Sequence, residues 1–431
     1  MALVLVGVTP TPARAVGEPP WATGASQADD LRISLLTFGP GDDIPAWFGH
    51  SALVVEDRER HHARVYNYGM FDFGSDMLVK FATGRLVFWV GQASLRATLR
   101  HYERANRSIR LQVLNLPPAQ RMEVAEFLAW NVRPENRDYL YDHYFDNCAT
   151  RIRDVIDDAV DGQLAAATAA RDPLTLREHT RRHAQHSPYI DFVMMLWMND
   201  SIDEPIRRWD AMFLPERVAR EIAQLSYTDA QGRTRELVQN SRTLFAADRP
   251  PVPETPNAGW LRTLLAGTVL AAGGLLLATA WRRSRRRAWR VAFGLYNAAV
   301  GGVVGLPGLL LVTFWFTDHT ITHFNENALM ANPLTFLALP FGGALAFGAQ
   351  RVAGWLRWSW WALAIGTALA VLLQIVPGFN QANAMVIAGL WPLNWGMAVA
   401  WWLAMPAYRG RPADAQTLVA AASGSSEQAS A

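Results

Sequence analysis

One cysteine, Cys148, has to serve all 431 residues. A lone thiol has no intramolecular partner, so a disulfide framework is excluded. Charge of one sign is also missing. The formal net charge is only +2, so no polybasic face marks nucleic acid as a partner. From about residue 260 to 405, Lys, Asp and Glu nearly vanish, and apolar residues take their place. Hydrophobic residues make up 51% of the chain, and 12 of its 18 tryptophans fall in this second part. That distribution suits helices anchored at membrane interfaces. No internal repeat is present. The start, "MALVLVGVTPTPARAVGEPP", lacks a positively charged n-region, yet it has an apolar run and an A-x-A-like site at Ala13-Arg14-Ala15. Residues 1–15 read as a secretory signal peptide truncated at its front; a disordered apolar tail is the alternative.

The proline-rich stretch 249–259 is a linker. Beyond it lie five apolar runs of near-spanning length, about 262–281, 291–316, 335–350, 358–377 and 384–405. The third is at the lower edge of what can cross. Arg282, Arg283, Arg285, Arg286, Arg287 and Arg290 separate the first two runs and belong on the cytoplasmic side. Alternation then puts Arg351, Arg357, Arg409 and Arg411 on that same side, with the 28–248 domain exported. The expectation is a five-helix transmembrane domain over 260–405 and a disordered cytoplasmic tail over 406–431.

The 28–248 domain reads as α+β. "HSALVVED" and "ARVYNYG" form a hairpin about a charged turn, and "RLVFWVGQ" and "SIRLQVLNL" are further strands. "PPAQRMEVAEFLAWNV" is a helix with prolines at its start. "CATRIRDVIDDAV" sets Ile152, Val155, Ile156 and Ala159 on one stripe, after an Asp146-Asn147 cap. "DEPIRRWDAMFLPERVAREIAQL" reads as one amphipathic helix, with Met212, Phe213 and Leu214 packed in the core.

Export changes the meaning of Cys148. An unpaired thiol in an oxidising compartment is a liability unless it serves a purpose; an inert buried cysteine is the alternative. The expected position in the first turn of a helix favours the thiolate, with Asp146 opposing and Arg151 assisting. A thiol nucleophile needs a base. His50 in "WFGHSALVV" follows a glycine at the mouth of a strand, where an imidazole can face a helix end. His61 and His62 lie in the hairpin turn, His143 precedes the cap, and His179, His183 and His186 share an arginine-rich stretch that reads as a solvated face. If the hairpin pairs symmetrically, Asn67 lies across from His50 and can orient it; otherwise Asn67 only satisfies a strand end. In the loop "TDHTITHFNENALMANPLT", the spacing of His319 and His323 with Glu326 could bind a metal, but nothing else points to one. No metal or cofactor is expected. His319, His323, Asn325, Glu326 and Asn327 read as a polar loop that shapes substrate access at the membrane surface, or else as a solvated connector.

The order of His50 and Cys148, with "FGHSALVV", "VYNYGMFDF" and "YDHYFDNCATRIRD", resembles the bacterial lipoprotein N-acyltransferases of the Lnb type. The resemblance implies a circularly permuted papain-like (NlpC-like) domain in the periplasm, followed by five helices in the bacterial inner (cytoplasmic) membrane. It implies Cys148 as nucleophile and His50 as base, moving an acyl chain from a phospholipid through a thioester to the N-terminal amine of a diacylated lipoprotein. The competing reading is a membrane-tethered cysteine peptidase or amidase acting on peptidoglycan. Such an enzyme needs only a tether, so the long apolar part favours lipid substrates.

Overall fold

A computed structural model describes residues 17–71, 80, 82–349 and 351–408. The signal-peptide reading of 1–15, the stretch Asp72-Phe73 of the quoted motif and most of the tail 406–431 lie outside them. The chain divides into two compact units. The first holds Met1–His186, Ser201–Asn257 and Thr317–His319, and the second holds the rest.

The first unit is built on a seven-stranded sheet. Its strands in chain order are β1 Leu31–Phe38, β2 His50–Asp57, β3 His62–Met70, β4 Val87–Ala93, β5 Ile109–Leu114 and β6 Asp138–Leu140, followed by a two-stranded ribbon of β7 Ser226–Thr228 and β8 Thr234–Glu236, and then β9 Val238–Phe245. The sheet order is β6-β4-β3-β2-β1-β5-β9, with each neighbouring pair antiparallel. β1 and β2 are buried along nearly their whole length, as apolar strands covered on both faces must be. The unit also holds helices α1 Leu95–Arg104, α2 Pro118–Asn131, α3 Cys148–Asp158, α4 Leu176–Ala184 and α5 Pro215–Gln224, besides shorter ones. The expected hairpin is β2–β3, and Ile152, Val155, Ile156 and Ala159 of α3 all face the core.

Two local expectations need correction. The stretch 203–225 is not one helix. Leu214 is extended, and Pro215 opens α5 after the short helix Arg208–Ala211, because proline has no N–H to continue a preceding turn but fits the first turn of a new one. Met212, Phe213 and Leu214 are buried nonetheless. Nor is the histidine- and arginine-rich helix α4 a solvated face: Arg177, His179, Arg182 and His183 are all buried. Their partners come from distant parts of the chain, Asp203 for Arg177, Asp172 for His179 and Glu216 for Arg182. Burial of those charges is possible because each is paired.

The second unit is helical. Four of its helices are long and apolar enough to cross a membrane: Trp260–Ser284, Arg287–Phe314, Val352–Leu373 and Ala384–Met405. The third expected run forms a shorter apolar helix, Pro333–Ala346. At about 1.5 Å per residue it covers roughly 20 Å, less than the hydrocarbon core of about 30 Å. Inside this unit the buried Asn297 amide oxygen accepts from the indoles of Trp360 and Trp401, at 3.0 and 3.1 Å. The architecture is therefore an α+β part followed by a helical C-terminal part.

Candidate active site

Cys148 is the first residue of α3, held there by Asn147. The Asn147 side-chain oxygen accepts from the Ala149 and Thr150 amides at 2.7 and 3.0 Å, and the Thr150 hydroxyl accepts from the Asn147 amide in return at 2.8 Å. This is a reciprocal cap. The Asn147 side-chain nitrogen donates to the His143 and Phe213 carbonyls at 2.7 and 2.9 Å. One buried amide therefore fixes both the helix start and its seat on the following segment. Asp146 and Arg151, expected to pull the thiol in opposite directions, form a two-bond ion pair of 2.5 and 2.6 Å and neutralise each other. Gly69 of β3 leaves room for the thiol-bearing residue, since a Cβ there would meet the Cys148 Cβ at 3.5 Å.

His50 is the first residue of β2 and pairs across β1 with Phe38. Gly49 makes the approach with φ +82°, and a Cβ at that position would meet the Phe38 carbonyl oxygen at 2.8 Å. Gly49→Ala is therefore strained both in conformation and in space. We expect it to lower stability by about 2 kcal/mol and to slow any reaction that needs His50 in place. Thermal melting and Cys148 reactivity of the same variant check the two parts.

The His50 ring is parallel to the rings of Phe38 and Tyr102, with centroids 5.9 and 6.1 Å away. Its Nε2 lies 3.4 Å from the Asn67 side-chain oxygen. The pairing of Leu53 with Tyr66, continued by one residue, sets Asn67 opposite Ala52 rather than His50. The side chain reaches His50 diagonally, and the contact is longer than an ordinary N–H···O bond. With Nε2 protonated and donating to Asn67, the Nδ1 lone pair is left to act as base.

Burial holds the His50 pKa down to about 4, and the Arg107 charge adds to the effect while the Asn67 contact opposes it. Burial pushes the Cys148 thiol up, and the Ser51 amide, the Arg107 charge and the amides of Cys148 and Ala149 pull the other way. At neutral pH the two groups are thus a thiol and a neutral imidazole. The strand carrying His50 reaches the thiol through the Ser51 amide.

Some participants were not visible in sequence. The Tyr139 hydroxyl is buried without a hydrogen-bond partner among the described residues and would lie 3.9 Å from a Cβ on Gly69. Burial, with the Cys148 charge next, pushes the Tyr139 pKa up, so the phenol stays a neutral donor close to the sulfur. The helix-turn amides are a poorer oxyanion site than their position suggests, because Asn147 already engages those of Ala149 and Thr150. The Cys148 amide and the Tyr139 hydroxyl are the better donors. Phe38, Tyr102 and Arg107 complete the wall behind His50.

The residues of the expected polar loop divide between the two units. His319 falls in the first unit, whereas His323, Asn325, Glu326 and Asn327 fall in the second. Asn325 and Asn327 are buried, and their amides donate to the Leu196 carbonyl at 3.1 Å each, Asn327 also to that of Met195. Asn199 donates to the His323 carbonyl at 2.9 Å. Glu326 accepts from Gln374, the Gln381 amide and Asn383 at 2.8 to 3.2 Å. Asn325, Glu326 and Asn327 thus engage neighbouring backbone and amides. Among the described residues no group of three or more His, Cys, Asp or Glu could hold a metal.

Residues 18–182 match the family model of the Lnb N-terminal periplasmic domain, in agreement with the resemblance drawn from the motifs around His50 and Cys148. No curated protein and no solved structure matches the chain.

Proposed function

We propose that this membrane-anchored chain, whose residues 18–182 match the family model of the Lnb N-terminal periplasmic domain, is a lipoprotein N-acyltransferase working through a Cys148 thioester. The observation that carries the reading is the meeting of a helix-capped thiol with the His50 end of β2, the imidazole contacting Asn67. In the first step the Cys148 sulfur attacks an ester carbonyl of a phospholipid as its proton passes to His50. The C–O bond breaks, the alkoxide takes the proton from His50, and a lysophospholipid leaves. In the second step the α-amine of a diacylglyceryl-cysteine attacks the thioester, an amide forms, and the thiol recovers its proton. Splitting the transfer in two holds the acyl group until the amine arrives. The Cys148 amide and Tyr139 hydroxyl are suited to the oxyanion of each tetrahedral intermediate.

A helix-borne cysteine facing a strand-borne histidine supports the permuted papain-like comparison. With Pro333–Ala346 as a short fifth crossing in the inner membrane, every arginine cluster lies on the cytoplasmic side. In that arrangement the loop of His319, His323, Asn325, Glu326 and Asn327 lies on the periplasmic side, where lipid substrates approach.

The test is expression in bacteria lacking their own lipoprotein N-acyltransferase, followed by mass spectrometry of lipoprotein N-termini. The expected result is an N-acyl chain added to the diacylated form, with muropeptide profiles unchanged. Diacylated N-termini despite correct insertion would overturn the reading, and altered muropeptides would favour the peptidoglycan amidase instead.

A further inference from the structure

Arg107 lies in the loop between α1 and β5. Its Nε donates to the Gly39 carbonyl at 2.8 Å, and its guanidinium carbon sits 4.8 Å from the Tyr102 ring centroid. Tyr102 stacks on Phe38 at 3.6 Å and runs parallel to the His50 imidazole at 6.1 Å. Backbone bond and ring thus fix the guanidinium behind the base. Its Nη2 is buried and has no hydrogen-bond partner among the described residues. Neighbouring carboxylates do not satisfy it. Asp42 is taken by Arg249 in a two-bond pair of 2.6 and 2.8 Å, and Asp43 is exposed to solvent, which screens it. A half-buried arginine with an enclosed Nη2 and no salt bridge among the described residues is a fixed positive charge available to an anion.

We propose that Arg107 is the electrostatic positioning residue of this site, its charge favouring the Cys148 thiolate and adding to the burial that keeps His50 neutral. The groups around Cys148 come from several elements: the Ser51 amide of β2 next to His50, Gly69 on β3, Tyr102 on α1, Tyr139 on β6 with Tyr141 just after it, and the amides of its own turn. The tyrosines are neutral, and Asp146 cancels Arg151. Asp43 is an exposed counter-charge to Arg107, and Asp142 lies next to Tyr141; among the described residues Arg107 is the charged side chain that acts on the thiol itself. The thiol is drawn down and the imidazole is pushed down by the same guanidinium, as one nearby cation must do to both.

Because Cys148 is the one cysteine of the sequence, a thiol reagent reports on it alone. The experiment is iodoacetamide alkylation of the full chain in detergent as a function of pH. Arg107→Met is expected to raise the alkylation midpoint by about one pH unit, which slows labelling roughly tenfold at any pH below it. Arg107→Gln, which keeps an amide donor for Gly39, is expected to do the same and carries the test should the Met variant not fold. Arg107→Lys is expected to leave the midpoint in place. A midpoint unchanged or lowered in the neutral variants overturns the proposal, and lowering is what water entering a loosened site would give. A Lys variant that behaves like Met overturns it as well, since charge would then not be the cause. The inference requires only that Cys148 reacts as a thiolate, so it stands or falls separately from the acyl-transfer reading.

Discussion

Replacing Cys148 with serine is expected to lower acyl transfer by at least about 10⁴-fold, the order of loss seen when a nucleophile is removed from a site that works as a unit. The change is nearly isosteric. The cap that Asn147 provides uses no atom of the Cys148 side chain, so α3 and its seat should survive. What is lost is acidity: a hydroxyl is far harder to ionise than a thiol, and a base whose pKa burial holds near 4 is too weak to draw its proton. Removing the base is expected to cost less. His50→Ala leaves a thiol that still ionises at high pH, so its loss should be about 10²- to 10⁴-fold and should shrink as pH rises. The measurement is the mass of lipoprotein N-termini, with the acyl mass on Cys148 itself when no acceptor is supplied. Acyl transfer by Cys148→Ser at the wild-type rate would remove the thiol from the mechanism.

Asp172→Ala is expected to destabilise the first unit by about 3–5 kcal/mol, the cost of leaving a buried charge without its partner. The Asp172 carboxylate is fully buried, accepts from His179 and the Leu174 amide at 2.9 and 3.0 Å, and pairs with Arg217. His179 in turn contacts Arg182 at 3.1 Å, and Arg182 binds Glu216 at 2.8 Å. His183 of the same helix contacts the Trp47 carbonyl at 2.9 Å, three residues before His50. Removing Asp172 therefore strands Arg217 and loosens the frame behind the base. Pulse labelling of Cys148 during urea unfolding reads this unit by itself, and a midpoint equal to wild type would refute the expectation. The same network makes the unit sensitive to acid. Burial lowers the pKa of His179 and, with it, those of His50 and His143, each to about 4. The unfolded chain therefore takes up protons first, and stability falls as pH drops below the ordinary histidine value of 6.5. Burial pushes Asp172 up, but the bonds from His179 and Leu174 and the Arg217 charge overcome it and hold its pKa down. Its contribution is present above the ordinary carboxylate value of 3.8 and is lost as pH falls through the lower folded value.

Features set by neighbouring residues were readable in the sequence. The apolar stripe of α3, its Asn147 cap, the β2–β3 hairpin and the linker each depend on spacing or on local backbone chemistry. Features set by distant residues were not. β1, buried on both faces, carries a nearly continuous apolar run with no alternation to mark it as a strand. Helix α4 looks solvated because the carboxylates that pair its charges lie elsewhere, at Asp172, Asp203 and Glu216. At the site, His50 and Cys148 carry chemistry in their residue types, whereas Phe38, Tyr102, Arg107 and Tyr139 are ordinary residues given a role only by the fold. The link between Asn67 and His50 is intermediate: the two side chains meet, although by a diagonal reach and not by the direct pairing that symmetry suggested.

β2 lies in the interior of its sheet, with β3 on one side and β1 on the other. A residue on such a strand is uncovered only when the sheet itself comes apart, unlike a residue on a loop that breathes locally. That holds for β2 from Leu53 onward, where the pairing with β3 begins; His50 and Ser51 precede it and pair in the sheet with β1. His50 thus sits at a strand end that can open locally while the sheet that carries it stays shut.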